Sequence, residues 1–446
     1  MTTSSATSDT AAPRADTPTH REIVALAVPL ILSSLTQPLL SAVDTALAGH
    51  MRDATSLGAV TLGAQAFNLV FWGFVFLRMG TAALTAQARG ARDSRAESDL
   101  LMRALGLAVG AGALLVLLRA PLLGLLADLF DAQGALRARA FDYCGARIWS
   151  LPFGLANYVI LGWLLGARRA MTGLALQLLV NAVNLAVALA LVLGFDAGVA
   201  GLGAATAVAD ATGCIAGLVL LARAGLLRLP GAALRDAAAW RALVAMNGTL
   251  LVRTAALLAV FSAFTRHGAG QGEVILAANG VLMSVATFVT YGIDGFANAA
   301  QTLVGTAIGA RDPAQARRAV LRPLLWAGLL ALPCVVALWL AGPPLIDAMT
   351  DLPEVRAAAR RHLLWLALWP VAAVGAFMFD GIYIGAVLLR ELMWAVLGAA
   401  VLFFVAVGPA MAVLGNHGLW LVLDLFLLLR GAVLGGWLRR VVAKAG

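Results

Sequence analysis

Apolar runs of roughly twenty residues, the length of helix that crosses a bilayer core of about 30 Å, follow one another from residue 23 almost to the end of the chain. Charged or Gly/Pro-rich breaks separate them. Cutting at those breaks predicts twelve membrane-spanning helices, near 23–46, 58–86, 103–127, 141–166, 171–194, 199–222, 242–265, 274–306, 322–342, 362–388, 392–414 and 418–438. Arg119 and Pro121 interrupt the third. Ahead of the first, residues 1–20 are rich in Thr, Ser, Ala and Pro and carry Asp9 and Asp16, the composition of a disordered tail. They lack the basic n-region of a signal peptide. The pattern predicts an all-α integral membrane protein.

A second pattern lies over the first. Gly90-Ala91-Arg92-Asp93 recurs as Gly309-Ala310-Arg311-Asp312, 219 positions later. The same offset pairs Leu32 with Leu251, Leu57 with Leu276, Ala59 with Ala278, Val70 with Val289, Gly162 with Gly381 and Gly166 with Gly385. A shared four-residue loop and a glycine pair in one register identify an internal repeat of six spans. Six is even, so both halves enter the membrane in the same direction, an arrangement used by secondary transporters. The expected organisation is a disordered cytoplasmic tail at 1–22, a six-helix bundle at 23–222, a cytoplasmic linker at 223–241 and a second, pseudo-symmetric six-helix bundle at 242–440.

Composition narrows the chemistry. The chain is 61% hydrophobic and 12% charged, with a mean hydropathy of +0.90, whereas soluble domains carry about 25% charged residues. Its one lysine is Lys444 near the end, so neither a Walker A loop nor a buried Schiff-base lysine exists. His20, His50, His267, His362 and His417 are too dispersed for an HExxH zinc pair, and no GxSxG elbow occurs. Cys144, Cys214 and Cys334 lack the close spacing of a disulfide framework or metal cluster. No metal or cofactor is expected. The net charge of +9 reads as basic loops beside anionic lipid head groups, without a nucleic-acid partner. With the N-terminus inside, twenty of the 32 basic residues fall in cytoplasmic loops and nine, Arg147 among them, outside. That bias predicts a multi-pass protein of the inner (plasma) membrane with both termini cytoplasmic. Arg78, Arg253 and Arg430 fall within spans.

A charge at the bilayer centre costs at least about 2.5–3.5 kcal/mol on insertion scales. Five aspartates accept that cost: Asp44, Asp210, Asp294, Asp380 and Asp424. On the first span, Ser33, Gln37, Ser41 and Asp44 are spaced four, four and three apart and share one helical face. Pro29 and Pro38 flank that stripe and can kink the helix. Either a neighbouring span satisfies Asp44 or the face lines a water-filled cavity, and the polarity of the whole stripe favours the cavity. Gln177, Asn181 and Asn184 share a face of the fifth span, and Asn157, Gln65 and Asn68 can complete a neutral polar lining. Interhelical hydrogen bonding, worth about 0.6 kcal/mol per bond, is the competing reading for each amide. Asp294 and Asp380 each precede a glycine, so close helix contact competes there with a second cavity. Asp210 and Asp424 read as structural. Asp424 and Arg430, six residues apart, do not share a face and are expected to pair elsewhere.

With these residues in view, "VPLILSSLTQPLLSAVDTALAGHM" followed by "FLRMGTAALTAQARGARD" resembles the first two helices of multidrug and toxic compound extrusion (MATE) transporters, in their DinF-like branch. "ALQLLVNAVNLAVALALVLG", "YGIDGFANAAQTLVGTAIGARD", "FDGIYIGA" and "HGLWLVLDLFLLLRG" fit the same branch, so the resemblance covers residues 21–440. It implies two bundles around a central cavity, exporting organic cations or amphipathic drugs against inward proton or sodium flow. It also implies that Asp44 is the first-helix coupling aspartate, that Gln37 and Asn184 face the cavity, and that Pro29 marks the bend. Two positions depart from the family pattern. Ala188 stands where an aspartate is common, and Gln301 where the branch often has a glutamate. Coupling is therefore expected to rest on Asp44, with Asp380 or Asp294 contributing.

A carboxylate that loads a proton loses the charge that attracts a cation, so proton and cargo compete for one negative site. Sodium asks for several oxygen ligands, and Asn184 beside Ala188 supplies few, which favours protons without excluding Na+. The expected protein is a monomer in lipid, driven by an ion gradient. Within transporters the alternative is a lipid-linked oligosaccharide flippase, which calls for a more basic cavity. A membrane-embedded enzyme would depend on paired aspartates, yet the repeat partner of Asp44 is Ala263. A passive channel would conduct without a coupling gradient.

Overall fold

The computed structural model describes residues 19–49, 54–129, 132–227 and 236–446, with the side chains of 37–46, 48, 49 and 54 outside that set. The expected tail at 1–22 lies almost wholly outside the described residues, as does the middle of the expected linker at 223–241.

The first half runs α1 (His20–Gly49), α2 (Ala54–Gly73), α3 (Phe76–Gly90), α4 (Ser94–Leu117), α5 (Arg119–Leu129), α6 (Gly134–Arg147), α7 (Leu151–Gly166), α8 (Ala170–Leu189) and α9 (Gly198–Arg223). The second runs α10 (Ala237–Ala269), α11 (Glu273–Gly309), α12 (Pro313–Met349), α13 (Pro353–Arg361), α14 (Leu363–Gly385), α15 (Leu389–Leu414), α16 (Asn416–Gly436) and α17 (Leu438–Ala443). Eleven helical stretches among the described residues are long and apolar enough to cross a membrane, and α1 stands in the place of the first expected span. The fold is all-α, two pseudo-symmetric bundles of membrane helices.

Local chemistry sets the element ends. The Thr19 hydroxyl accepts from the Glu22 amide at 3.2 Å, so the first helix begins before the boundary at 22 that hydropathy suggests. Asp236 caps α10 through the amides of Ala238 and Ala239, both at 3.0 Å, and carries that helix well ahead of residue 242. The expected second span breaks at Phe74–Val75 into α2 and α3. The third breaks at Leu118, three residues before Pro121, which has no amide hydrogen to continue the ladder. The fourth reaches back to Gly134. Arg147, counted above with the outer loops although it falls within 141–166, lies well inside this spanning stretch. α11 and α12 have 37 residues each, about 55 Å of helix at 1.5 Å per residue, and overreach the hydrocarbon.

Positions 219 apart occupy matching places. A Cβ on Gly162 would strike the carbonyl of Arg78, and one on Gly381 the carbonyl of Ala297. Gly166 meets the carbonyl of Ala82, and Gly385 that of Gln301. Each contact in one half is the other shifted by the repeat. Across the halves the relation is reciprocal: Gly90 lies on the carbonyl of Thr306, and Gly309 on that of Gln87. Small residues let membrane helices approach backbone to backbone, and here they join α3 to the end of α11. The loops repeat too. Arg92 and Arg311 take φ of 57° and 53°, Arg168 and Val387 58° and 52°. Asp93 and Asp312 cap the helices that follow.

α11 is the central element. It packs on α12 and α14 in its own half and on α1 and α3 in the other. Ile23, Leu26 and Ala27 of α1 belong to the apolar core of the second half. Gly295 of α11 sits against Ile31 and, at 2.9 Å from its would-be Cβ, the carbonyl of Ala27, on either side of buried Pro29.

Candidate transport site

Of the residues expected on the first helix, Gln37, Pro38, Ser41 and Asp44 have side chains outside the described residues. The amides of the first half are described, and they divide. Gln177 donates to Asn181 at 3.2 Å along α8. Asn184, 2% exposed, turns away from them and donates to Thr206 of α9 at 3.2 Å. Its Oδ1 is buried without a hydrogen-bond partner. Gln65 and Asn68 on α2 are exposed, and Ala188 is buried among apolar neighbours.

Asn157 of α7 reaches Asp210 of α9, donating to its backbone carbonyl at 2.9 Å and lying 3.4 Å from its carboxylate. The Arg147 guanidinium acts on Asp210 electrostatically. It also lies over the rings of Phe67 and Tyr143, at 4.9 and 5.6 Å. Asp210, taken from the sequence as structural, is thus the described charged centre of the first half.

The second half has a denser centre. Asp380 of α14 forms an ion pair with Arg253 of α10. The same carboxylate oxygen lies 3.4 Å from Arg430 of α16. All three are buried: 6% exposed for Asp380, 5% for Arg253 and 1% for Arg430. Arg430 stacks on Phe377 at 5.4 Å and Phe426 at 5.7 Å. The cluster is not saturated. Oδ1 of Asp380, Nε of Arg253 and both Nε and Nη2 of Arg430 are buried without a hydrogen-bond partner. Asp294 of α11 is half-buried and lies in the electrostatic field of Asp380, Arg78, Arg253 and Arg430. The sequence supplied these arginines as in-span charges but not their partners. Asp424 stands apart, buried with neither oxygen hydrogen-bonded.

Hydrogen bonds tie the two halves to each other. Gln301 donates to the carbonyl of Met79 and Gln87 to that of Gly385, both at 2.8 Å. The Thr302 hydroxyl reaches the carbonyl of Leu165 at 3.2 Å. At position 301 an amide supplies a donor that an ionised glutamate lacks.

At the end away from these loops, the His362 and His417 rings lie 4.4 Å apart. His362 Nδ1 contacts the Ala358 carbonyl at 2.8 Å, and Trp365 donates to His417 at 3.0 Å. Burial pulls His362 below the usual imidazole value, with His417 and Arg361 adding to the effect against the Ala358 hydrogen bond.

Comparison with known proteins gives this architecture its place. The MatE family profile matches residues 29–190 and 253–409, a segment in each half. The chain is 38% identical over 420 residues to DNA damage-inducible protein F of Escherichia coli, covering 93% of this chain and 91% of that protein. It is 32% identical over 308 residues to a probable multidrug resistance protein NorM of Deinococcus radiodurans, covering 67% and 66% of the two chains. Its fold matches a crystal structure of the Vibrio cholerae MATE transporter VcmN in the bent form with a TM-score of 0.85 at 18% identity, over 96% of this chain and 97% of that one. The chain therefore belongs to the MatE family, the multidrug and toxic compound extrusion transporters.

Proposed function

We propose that this transporter is a proton-coupled antiporter that exports organic cations or amphipathic drugs from the cytoplasm, with Asp44 as the coupling acid of the first half. The observation that carries the reading is a set of ionisable groups buried at membrane depth on helices of both halves, in a chain of an efflux family. Such groups are costly in lipid and mark ion and substrate pathways. The basic loops gather at the end where Gly90 meets Gly309, and the positive-inside rule turns that end to the cytoplasm. Lys444, which donates to the Val387 carbonyl at 3.1 Å, belongs to this end, where burial pulls its ammonium below the usual lysine range.

A proton released through 100 mV provides about 2.3 kcal/mol and each pH unit about 1.36 kcal/mol. Since 1.4 kcal/mol is tenfold in concentration, one proton supports a roughly 400-fold gradient of neutral cargo with both driving forces present. Protonation of Asp44 removes the negative site that a cation would occupy. Pro29 and Pro38 allow α1 to bend as that charge disappears, and Gly295 feels the bend through Ile31 and Ala27.

The test is reconstitution in proteoliposomes with a fluorescent cation as cargo, imposing a proton or a sodium gradient separately. Asp44→Asn, which mimics permanent protonation, is expected to fold and to lose gradient-driven export, by tenfold or more on the scale of one lost proton. Wild-type-like export by Asp44→Asn removes it from the coupling role. Export driven by sodium alone replaces the proton in this reading.

A further inference from the structure

The second half holds two guanidiniums against one paired carboxylate. Arg253 and Arg430 converge on a single oxygen of Asp380 from α10 and α16. Arg253 makes the hydrogen-bonded contact. Arg430, 3.4 Å away, does not satisfy hydrogen-bond geometry, and its Nε and Nη2 remain unpartnered at 1% exposure. A buried guanidinium with unused N–H groups is expensive unless an anion completes it. One anion is at hand. Asp294 projects from α11 into the same field without a basic side chain within salt-bridge distance among the described residues. The charged groups that face it are Asp380 from α14, Arg253 from α10, Arg430 from α16 and Arg78 from α3. α1, α7, α12 and α13, also packed on α11, bring none that acts on it among the described residues, and Tyr291 on α11 itself is the neighbouring titratable side chain. Phe377 and Phe426 flank the Arg430 guanidinium, flat faces along which it can slide while keeping its cation–π contacts.

We propose that Arg430 exchanges between Asp380 and Asp294 during the transport cycle, with Asp294 the proton-carrying acid of the second half and Asp380 the fixed counter-ion of Arg253. When Asp294 is ionised, Arg430 swings to it and draws α16 toward α11. When Asp294 binds a proton, Arg430 returns to Asp380. Because Gly295 is wedged against α1 beside Pro29, the exchange is placed to act on the helix that carries Asp44. Arg430 is a positioning residue in this scheme, and the inference rests on the proton-antiport reading.

The experiment measures the steady gradient of a cationic dye that proteoliposomes sustain per imposed pH unit, with the membrane potential clamped. Two coupled protons sustain about hundredfold per pH unit and one proton about tenfold. The wild type is expected near the first value and Asp294→Asn near the second. Arg430→Gln is expected to match Asp294→Asn, and the double variant to fall no further, because both remove one exchange. Arg430→Lys, which keeps the charge but loses the flat stacked fork, takes its place if Arg430→Gln does not fold and is expected to fall between the two values. A wild type that sustains only tenfold, an Asp294→Asn protein that keeps the wild-type gradient, or additive losses in the double variant would overturn the exchange. A wild type that builds no gradient on a pH step overturns proton antiport itself.

Discussion

The two halves share a backbone plan and differ in what they bury within it. Glycines 162 and 166 rest on the carbonyls of α3 as Gly381 and Gly385 rest on those of α11, residue for residue. The polar centres follow no such rule. Asp380, Arg253 and Arg430 correspond under the repeat to Leu161, Ser34 and Ala211, and Asp210, Asn157 and Arg147 to Leu429, Ala376 and Leu366. Backbone-to-backbone packing admits glycine and little else, so those positions are locked in both halves. Buried side chains need only a partner, and different helices supply one in each half. The first half relies on an aspartate held by an amide and an arginine in its field. The second gathers two arginines on one carboxylate, a centre with more charge and more to lose.

That contrast is easiest to break at the acids. Asp380→Asn would leave Arg253 and Arg430 buried without their anion, a loss of about 3–5 kcal/mol. The folded yield by size-exclusion chromatography should collapse. Asp210→Asn keeps an acceptor beside Asn157 and should cost about 1 kcal/mol. Equal losses would mean that the two centres carry the same load.

The glycines sharpen the shared side of the comparison. Gly166→Ala and Gly385→Ala should each destabilise by about 1–3 kcal/mol through overpacking against a carbonyl. Their thermal midpoints in detergent should fall by similar amounts, since they meet equivalent atoms. A harmless substitution in one half alone would show that the repeat no longer constrains that contact.

The smallest expected effect is at His362, whose repeat partner is Tyr143. Its folded pKa lies below the unfolded value near 6.5. The unfolded chain therefore binds more protons as pH falls through that range, and stability is lost below it. His362→Gln should shrink by a few degrees the fall in thermal midpoint between about pH 7.5 and about pH 5.5, on either side of the ordinary imidazole value. An unchanged fall would place the acid sensitivity elsewhere.

The spans, the repeat register and the helix caps are properties of neighbours along the chain. Hydropathy, a four-residue loop at 90 and 309, and Asp93 with Asp312 express them directly, so the all-α membrane fold and its duplication were legible in the sequence. The interruptions at Phe74–Val75 and Leu118 were less so, because an apolar run does not show whether the helix ladder continues through it. Helical spacing put Gln177, Asn181 and Asn184 on one face but could not say that Asn184 would turn to Thr206. The face of a helix follows from its period, whereas the direction of one side chain depends on what lies opposite.

By itself, then, the sequence determined which residues lie at membrane depth and that the chain is built twice. Only the tertiary structure decided that Asp380 belongs to Arg253 and Arg430, and that Asn157 belongs to Asp210. Those partners sit on different helices, 127, 50 and 53 residues apart. Their meeting depends on how each helix is rotated about its axis, and that rotation is set by glycine-to-carbonyl packing among helices distant in the chain. A charge in lipid must find a partner, but which one it finds is a property of the packed bundle.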